Sequence, residues 1–296
     1  MKIIQSFWTK PTFKNNKINS TDRNKGGWLT KKHNYMSWAL SCLQLRKFYE
    51  KVELVTDEKG YDILINKLKL PYTNVTVVLD ELNHYHPDLW AVGKLHAYKI
   101  QTEPFIHIDS DIYIYKPFPS SLETSSLIVQ NFEKGFFFYD KVFNELKENF
   151  DYVPQVLFDS IEKNNKIISV NAGLFGGNDI EFFKEYTHCA FEFIDRNISH
   201  LEKIDIGMFN TVYEQFLFNA LAEKLNKTVN PFISDINPSF DGIANFTQVP
   251  NTVSFIHTVG FYKGLPTINE ILEHRLLNDF PEYYYEIINL LRTKQL

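Results

Sequence analysis

From residue 2 to residue 108, short apolar runs alternate with stretches of helical periodicity, and that alternation constrains the fold more than any other feature. The runs 2–7 (KIIQSF), 52–56 (VELVT), 75–78 (VTVV) and 105–108 (FIHI) are short and rich in β-branched or aromatic residues, so each reads as a strand. Between them, Trp38, Ala39, Cys42, Leu43 and Leu45 recur at helical spacing over 35–49, and further helices are expected over 62–68 and 87–100. Successive parallel strands need a crossover, and a helix between each pair supplies it. The expected class is therefore α/β, a Rossmann-like, mostly parallel sheet with helices on both faces. The second half is less regular, with strands at 127–130, 167–170 and 253–257 and helices at 180–194, 210–225 and 282–291. No repeat or Pro/Gly/Ser-rich linker interrupts the chain, so one domain over 1–296 is expected.

Composition narrows the partners. With 31 basic against 36 acidic side chains, the chain lacks the broad positive field of a nucleic-acid binder. The start MKIIQS lacks the apolar core of a signal peptide, and no apolar run is long enough to cross a bilayer, so a cytoplasmic protein is expected. Cys42 and Cys189 stand alone, without a partner at metal-ligand spacing, which predicts two buried thiols and no zinc site. The segment carrying Lys10, Lys14, Lys17, Arg23, Lys25, Lys31 and Lys32 has only Asp22 as counter-charge; a solvated loop and a segment near an anionic ligand both fit it.

One stretch carries chemistry. In HIDSDIYIY (107–115), Asp109 and Asp111 follow the apolar run at 105–108, although aspartate is a poor strand former. In open α/β sheets ligands bind beyond the carboxyl ends of strands, and in extended backbone residues two apart point the same way. Both carboxylates are thus expected to converge while Ser110 turns away. Converging anions need a cation, and hard oxygen donors suit Mg²⁺ or Mn²⁺, which bind diphosphates. A solvated aspartate turn is the competing reading. A phosphatase using such a pair carries it on the first strand, where this chain has Gln5 and Ser6.

Four segments together resemble nucleotide-sugar-dependent glycosyltransferases of the GT-A fold, in particular the retaining enzymes of glycosyltransferase family eight. They are Lys94-Leu95, His107-Ile108-Asp109-Ser110-Asp111, Asn171-Ala172-Gly173-Leu174-Phe175-Gly176 and His257-Thr258-Val259-Gly260-Phe261-Tyr262-Lys263. A fifth, Glu214-Gln215, stands where the family usually has Asp-Gln. The resemblance implies a nucleotide-binding half over 1–111 and an acceptor-binding half over 112–296. It further implies that Asp109, Asp111 and His257 hold the metal, and a nitrogen ligand favours Mn²⁺ over Mg²⁺. Gly260 would permit a tight turn that lets Lys263 reach the diphosphate. Lys94 would touch the donor, Asn171 and Gly173 its sugar, and Gln215 and Glu214 would lie under the anomeric carbon. The stripe Val212, Tyr213, Phe216, Leu217, Ala220 and Leu221 leaves Glu214 and Gln215 off its centre, facing solvent or a cleft.

The implied reaction moves a sugar from a nucleotide diphosphate sugar, by default a UDP-sugar, to a hydroxyl of a carbohydrate or glycolipid acceptor, with retention. Inversion would need a general base, for which Glu214 and Asp205 are the candidates. The chain departs from the family in two places. Gly264-Leu265-Pro266 replaces Pro-Trp after the lysine, and the first strand ends in Ser6, Phe7 and Trp8 instead of an acidic or tyrosine base-binding signature. Trp8 would stack on a nucleobase or fill the core. Two other functions stand as alternatives: a catalytically silent carbohydrate- or nucleotide-binding protein, and a sugar nucleotidyltransferase, for which Gly26-Gly27 comes too late after the first strand. The Tyr283-Tyr284-Tyr285 helix is expected to pack on the core and not on a membrane, since few basic residues flank it.

Overall fold

The computed structural model describes residues 1–13, 25–234, 243–244 and 246–296. Lys14, Lys17, Asp22 and Arg23 of the basic segment lie outside the described residues. The chain is α/β with a mostly parallel seven-stranded principal sheet. It divides into two compact units that are not continuous in sequence and do not follow the expected boundary at residue 111. One comprises Lys2–Pro87, Ile108–Pro117 and Ser239–Leu296; the other comprises Met1, Asp88–His107 and Phe118–Pro238.

In the first unit, the strand Lys2–Phe7 runs parallel to Val52–Thr56, which runs parallel to Asn74–Val77. Ile3, Ile4, Val52 and Leu54 are fully buried, as a strand covered on both faces requires. The helix Lys31–Phe48 is buried without a break from His33 to Leu45, and within that stretch 35–43 is apolar or small on every side. Trp38 meets Phe7 with ring centroids 4.7 Å apart. Two further helices, Pro266–Asp279 and Pro281–Arg292, each begin with a proline whose missing N–H costs nothing in a first turn. Their Leu272, Leu276, Ile287 and Leu290 join Met36, Leu40 and Leu43 in one core, so the C-terminal helix packs inward as expected. Among the described residues no helix is long and apolar enough to cross a membrane. A short antiparallel pair, Ile112–Ile114 with Phe255–His257, sets His257 opposite Ile112.

In the second unit, Leu127–Val129 pairs parallel with Val229–Pro231 and antiparallel with Leu174–Gly177. Glycine is required at 176 and 177. A Cβ there would stand 2.1 Å from the carbonyl oxygen of Phe105 and 2.0 Å from that of Ser126, so only a bare backbone lets the strands approach. The helix Ile180–Asp195 starts where the Asp179 side chain accepts from the N–H of Phe182. Its Phe183 interlocks with Tyr98, Phe105, Phe175 and Phe218. The expected helix over 210–225 is a wider π turn, Thr211–Phe216, followed by the α-helix Leu217–Lys224. Cys42 is buried, and Cys189 is only half-buried.

Candidate functional site

Asp109 and Asp111 do converge, but through a turn and not through extended backbone. The strand Phe105–Ile108 stops at Ile108, and the N–H of Ile112 donates to the carbonyl of Asp109 at 3.1 Å, closing a four-residue turn with aspartate at its favoured first position. The helix Lys31–Phe48 clamps this turn. Ser37 and Ser41, four residues apart and so on one face, donate to the carbonyls of Ser110 (2.7 Å) and Asp109 (3.5 Å). Gln5 in the first strand donates to Ser41 at 3.0 Å and to the carbonyl of Ile108 at 3.3 Å. On the far side, Thr258 donates both its N–H and its hydroxyl to the carbonyl of Asp111, each at 3.1 Å.

Those clamps bring His257 in from the neighbouring strand. One ligand atom from each of Asp109, Asp111 and His257 lies within 4.8 Å of the others, and this is the one group of carboxylates and imidazoles among the described residues able to hold a metal ion. Two carboxylates and one imidazole make a mostly hard donor set that fits Mg²⁺ or Mn²⁺. Asp111 is only 4% exposed. Burial by itself would push its carboxyl up, but the Lys263 ammonium and His257 beside it hold it well below the usual carboxylate range, so it stays ionised. His257 Nε2 lies 3.6 Å from one oxygen of Asp111, and Lys263 Nζ lies 2.6 Å from the other. Lys263 gets there through the turn Gly260–Gly264, which Gly260 opens at φ +56° and the Asn269 amide pins by donating to the carbonyls of Lys263 (2.7 Å) and Leu265 (2.8 Å). The Lys263 stem passes beside Gly27, where a Cβ would come within 3.4 Å of it. After this turn Leu265 precedes the next helix, which Pro266 begins.

Ser6 is half-buried in the first strand. Trp8 is buried, its indole N–H donating to Asn83 at 3.4 Å, so its ring serves the core and presents no open face to a base.

The remaining expected residues form a separate network in the second unit. Lys94, expected in solvent or on the donor, is buried: its ammonium lies 2.8 Å from Glu214 and donates to the carbonyl of Ala172 at 3.2 Å. Glu214, expected to face solvent or a cleft, is fully buried and also accepts from the Tyr98 hydroxyl at 3.3 Å. The physical reason is the π turn. Its wider spacing rotates Glu214 inward relative to an α-helical count. Gln215 is less buried than its neighbour and meets the Tyr139 hydroxyl at 2.7 Å. That hydroxyl also lies 2.6 Å from Glu133, and its single proton serves one acceptor at a time. Burial first and the Glu133 charge second push the Tyr139 phenol far up, so it remains a donor. Asn171 gives an amide N–H to Glu133 at 2.9 Å and accepts the N–H of buried Gly173 at 3.0 Å, so both ends of an amide expected on the sugar already have protein partners.

Sequence reasoning missed Glu133, Tyr139, Ser37 and Ser41. The serines carried a signal, two small polar residues four apart inside 35–43, a stretch otherwise apolar. No curated protein matches the sequence. Residues 1–290 match the family described as a family of unknown function (DUF6734), and the chain belongs to that family.

Proposed function

We propose that this protein is a metal-dependent glycosyltransferase of the GT-A type that moves a sugar from a nucleotide diphosphate sugar, by default a UDP-sugar, to a hydroxyl of a carbohydrate or glycolipid acceptor. The observation that carries the reading is the convergence of Asp109, Asp111 and His257 on one point, with Lys263 drawn to the same carboxylate. A lone pair of aspartates would fit a solvated turn. A histidine and a lysine delivered from 146 to 154 residues away, by a strand and a glycine-initiated turn, do not.

In this reading Asp109, Asp111 and His257 hold Mn²⁺ in preference to Mg²⁺, because imidazole is a softer ligand than carboxylate. The bound ion supplies neutralisation of the diphosphate as the glycosidic bond to it breaks. Lys263 adds a second positive charge to the same leaving group, and the clamps from Ser37, Ser41 and Thr258 keep the carboxylates from reorganising. Retention is the better-supported stereochemistry. Of the two candidate bases for inversion, Glu214 is enclosed and paired with Lys94, and Asp205 caps a helix by accepting from Met208 at 3.0 Å. Of the pair Glu214-Gln215, Gln215 is the less buried, and Glu214 is held by Lys94.

Release of nucleoside diphosphate from a panel of UDP-, GDP-, CDP- and dTDP-sugars, with Mn²⁺ or EDTA, tests the proposal. One donor turned over only with the metal, and not by Asp109→Asn or His257→Ala, is the expected result. Turnover that survives both substitutions contradicts it, as does a complete absence of turnover across the panel with and without candidate acceptors.

A further inference from the structure

The position of Lys263 raises a question that the proposed function leaves open. A lysine meant only for a diphosphate has no reason to sit on a metal ligand, yet its ammonium is 2.6 Å from Asp111 Oδ2. The contact is built. Gly260 turns the chain, Asn269 pins the turn, and the Gly27 backbone leaves room for the lysine stem. Asp111 is nearly enclosed, and an enclosed carboxylate without a cation is costly. Lys263 Nζ is also the nearer of the two nitrogens on that carboxylate, since His257 Nε2 stands a further ångström away at 3.6 Å.

We infer that Lys263 is the resident counter-ion of Asp111, which a divalent cation must displace, and that the displaced ammonium then becomes available to the diphosphate. The inference rests on the metal-site part of the proposed function and goes beyond it by giving one side chain two successive partners. The physical ground is charge. A doubly charged ion at Asp109, Asp111 and His257 and an ammonium on Asp111 repel each other across a few ångströms of low-dielectric protein, so the two do not share the carboxylate. Metal alone therefore binds weakly, because it must strand Lys263. Metal with a nucleoside diphosphate binds well, because the phosphates give Lys263 a new acceptor. By linkage, the factor by which the nucleotide tightens the metal equals the factor by which the metal tightens the nucleotide. The same device keeps Asp111 compensated in the free protein, and it discourages the site from filling with a cation that brings no donor.

The test measures Mn²⁺ binding by electron paramagnetic resonance, with and without UDP, in the wild type, Lys263→Met and Lys263→Arg. Lys263→Met should bind Mn²⁺ alone at least about tenfold more tightly than wild type, since the competing charge is gone, whereas Lys263→Arg should stay close to wild type. With UDP present the order should reverse, Lys263→Met being the weaker. A measurement on the unmodified protein guards against a variant that fails to fold. Amine labelling of Lys263, normalised to exposed Lys184, should rise when Mn²⁺ is added and fall again with UDP. Mn²⁺ binding equally to wild type and Lys263→Met overturns the inference, as does labelling of Lys263 that Mn²⁺ leaves unchanged. The UDP arms read the proposed function separately: metal-dependent UDP binding with no displacement of Lys263 would sink the inference and leave that reading standing.

Discussion

Lys94→Met offers a sharp test of what the second-unit network does. The Lys94 and Glu214 side chains are 10% and 0% exposed and their charged atoms are 2.8 Å apart. Removing one member of such a pair strands the other in the interior, which costs about 3–5 kcal/mol. Unfolding entropy is about 2.1 cal/mol/K per residue, so a chain of this length carries about 0.6 kcal/mol/K, and the melting temperature should fall by about 5–8 °C. The double variant Lys94→Met/Glu214→Met removes both charges with side chains of similar volume and should recover to within about 2 kcal/mol of wild type, because the desolvation of both ions is relieved together. Scanning calorimetry of the four proteins in a double-mutant cycle gives the coupling directly. If Lys94→Met melted within a degree of wild type while weakening nucleotide-sugar binding, Lys94 would be a donor ligand and the pairing with Glu214 incidental.

Two other substitutions probe the scaffold, one in each unit. His33 accepts from Thr30 through Nδ1 (2.8 Å) and donates to Glu273 through Nε2 (2.7 Å), and burial, outweighing the Glu273 charge, pulls its pKa below 6.5. Its neutral form therefore stabilises the fold fully above about pH 6.5, and that contribution is lost as pH falls because the unfolded chain takes up the proton; the slope is at most about 1.4 kcal/mol per pH unit. His33→Gln should flatten the melting-temperature profile between about pH 6.5 and 5, and an unchanged profile would contradict the assignment. Gly177→Ala should destabilise by about 3 kcal/mol or more, since its Cβ would meet backbone 2.0 Å away; chemical denaturation showing a loss under about 1 kcal/mol would mean that the strands can part at no cost.

Much of this molecule is legible in its sequence, and the parts that are not have identifiable causes. The alternation of strands and helices up to residue 108 reads correctly because parallel strands covered on both faces leave nearly continuous apolar runs. Asp109, Asp111 and His257 do come together as a group that could hold a metal ion, but not by the expected route: a turn closed by Ile112, not extended backbone, turns Asp109 and Asp111 together, and turn geometry leaves little trace beyond a favourable first aspartate. Glu214 is misread because a helical count assumes 3.6 residues per turn and the Thr211–Phe216 turn is wider. Glu133 is invisible for another reason. Its partners Tyr139 and Asn171 reach it from a helix and from the end of another strand, and no local pattern encodes a buried carboxylate satisfied from a distance. The helix Phe137–Asn149 is different again: Tyr139, Val142, Phe143 and Leu146 follow a helical period that was present to be read.

In the proposed function Asp109, Asp111 and His257 bind a divalent cation that in turn binds a nucleoside diphosphate. Thermal unfolding with UDP, GDP, CDP and dTDP, each with and without Mn²⁺, in wild type and Asp111→Ala, tests it most directly. A ligand at about a hundred times its dissociation constant adds about 2.7 kcal/mol, which is about 4 °C for a chain of this size. Such a rise is expected for one nucleotide, only with Mn²⁺, and none in Asp111→Ala. Equal rises with and without the metal, or no rise with any of the four, would contradict it.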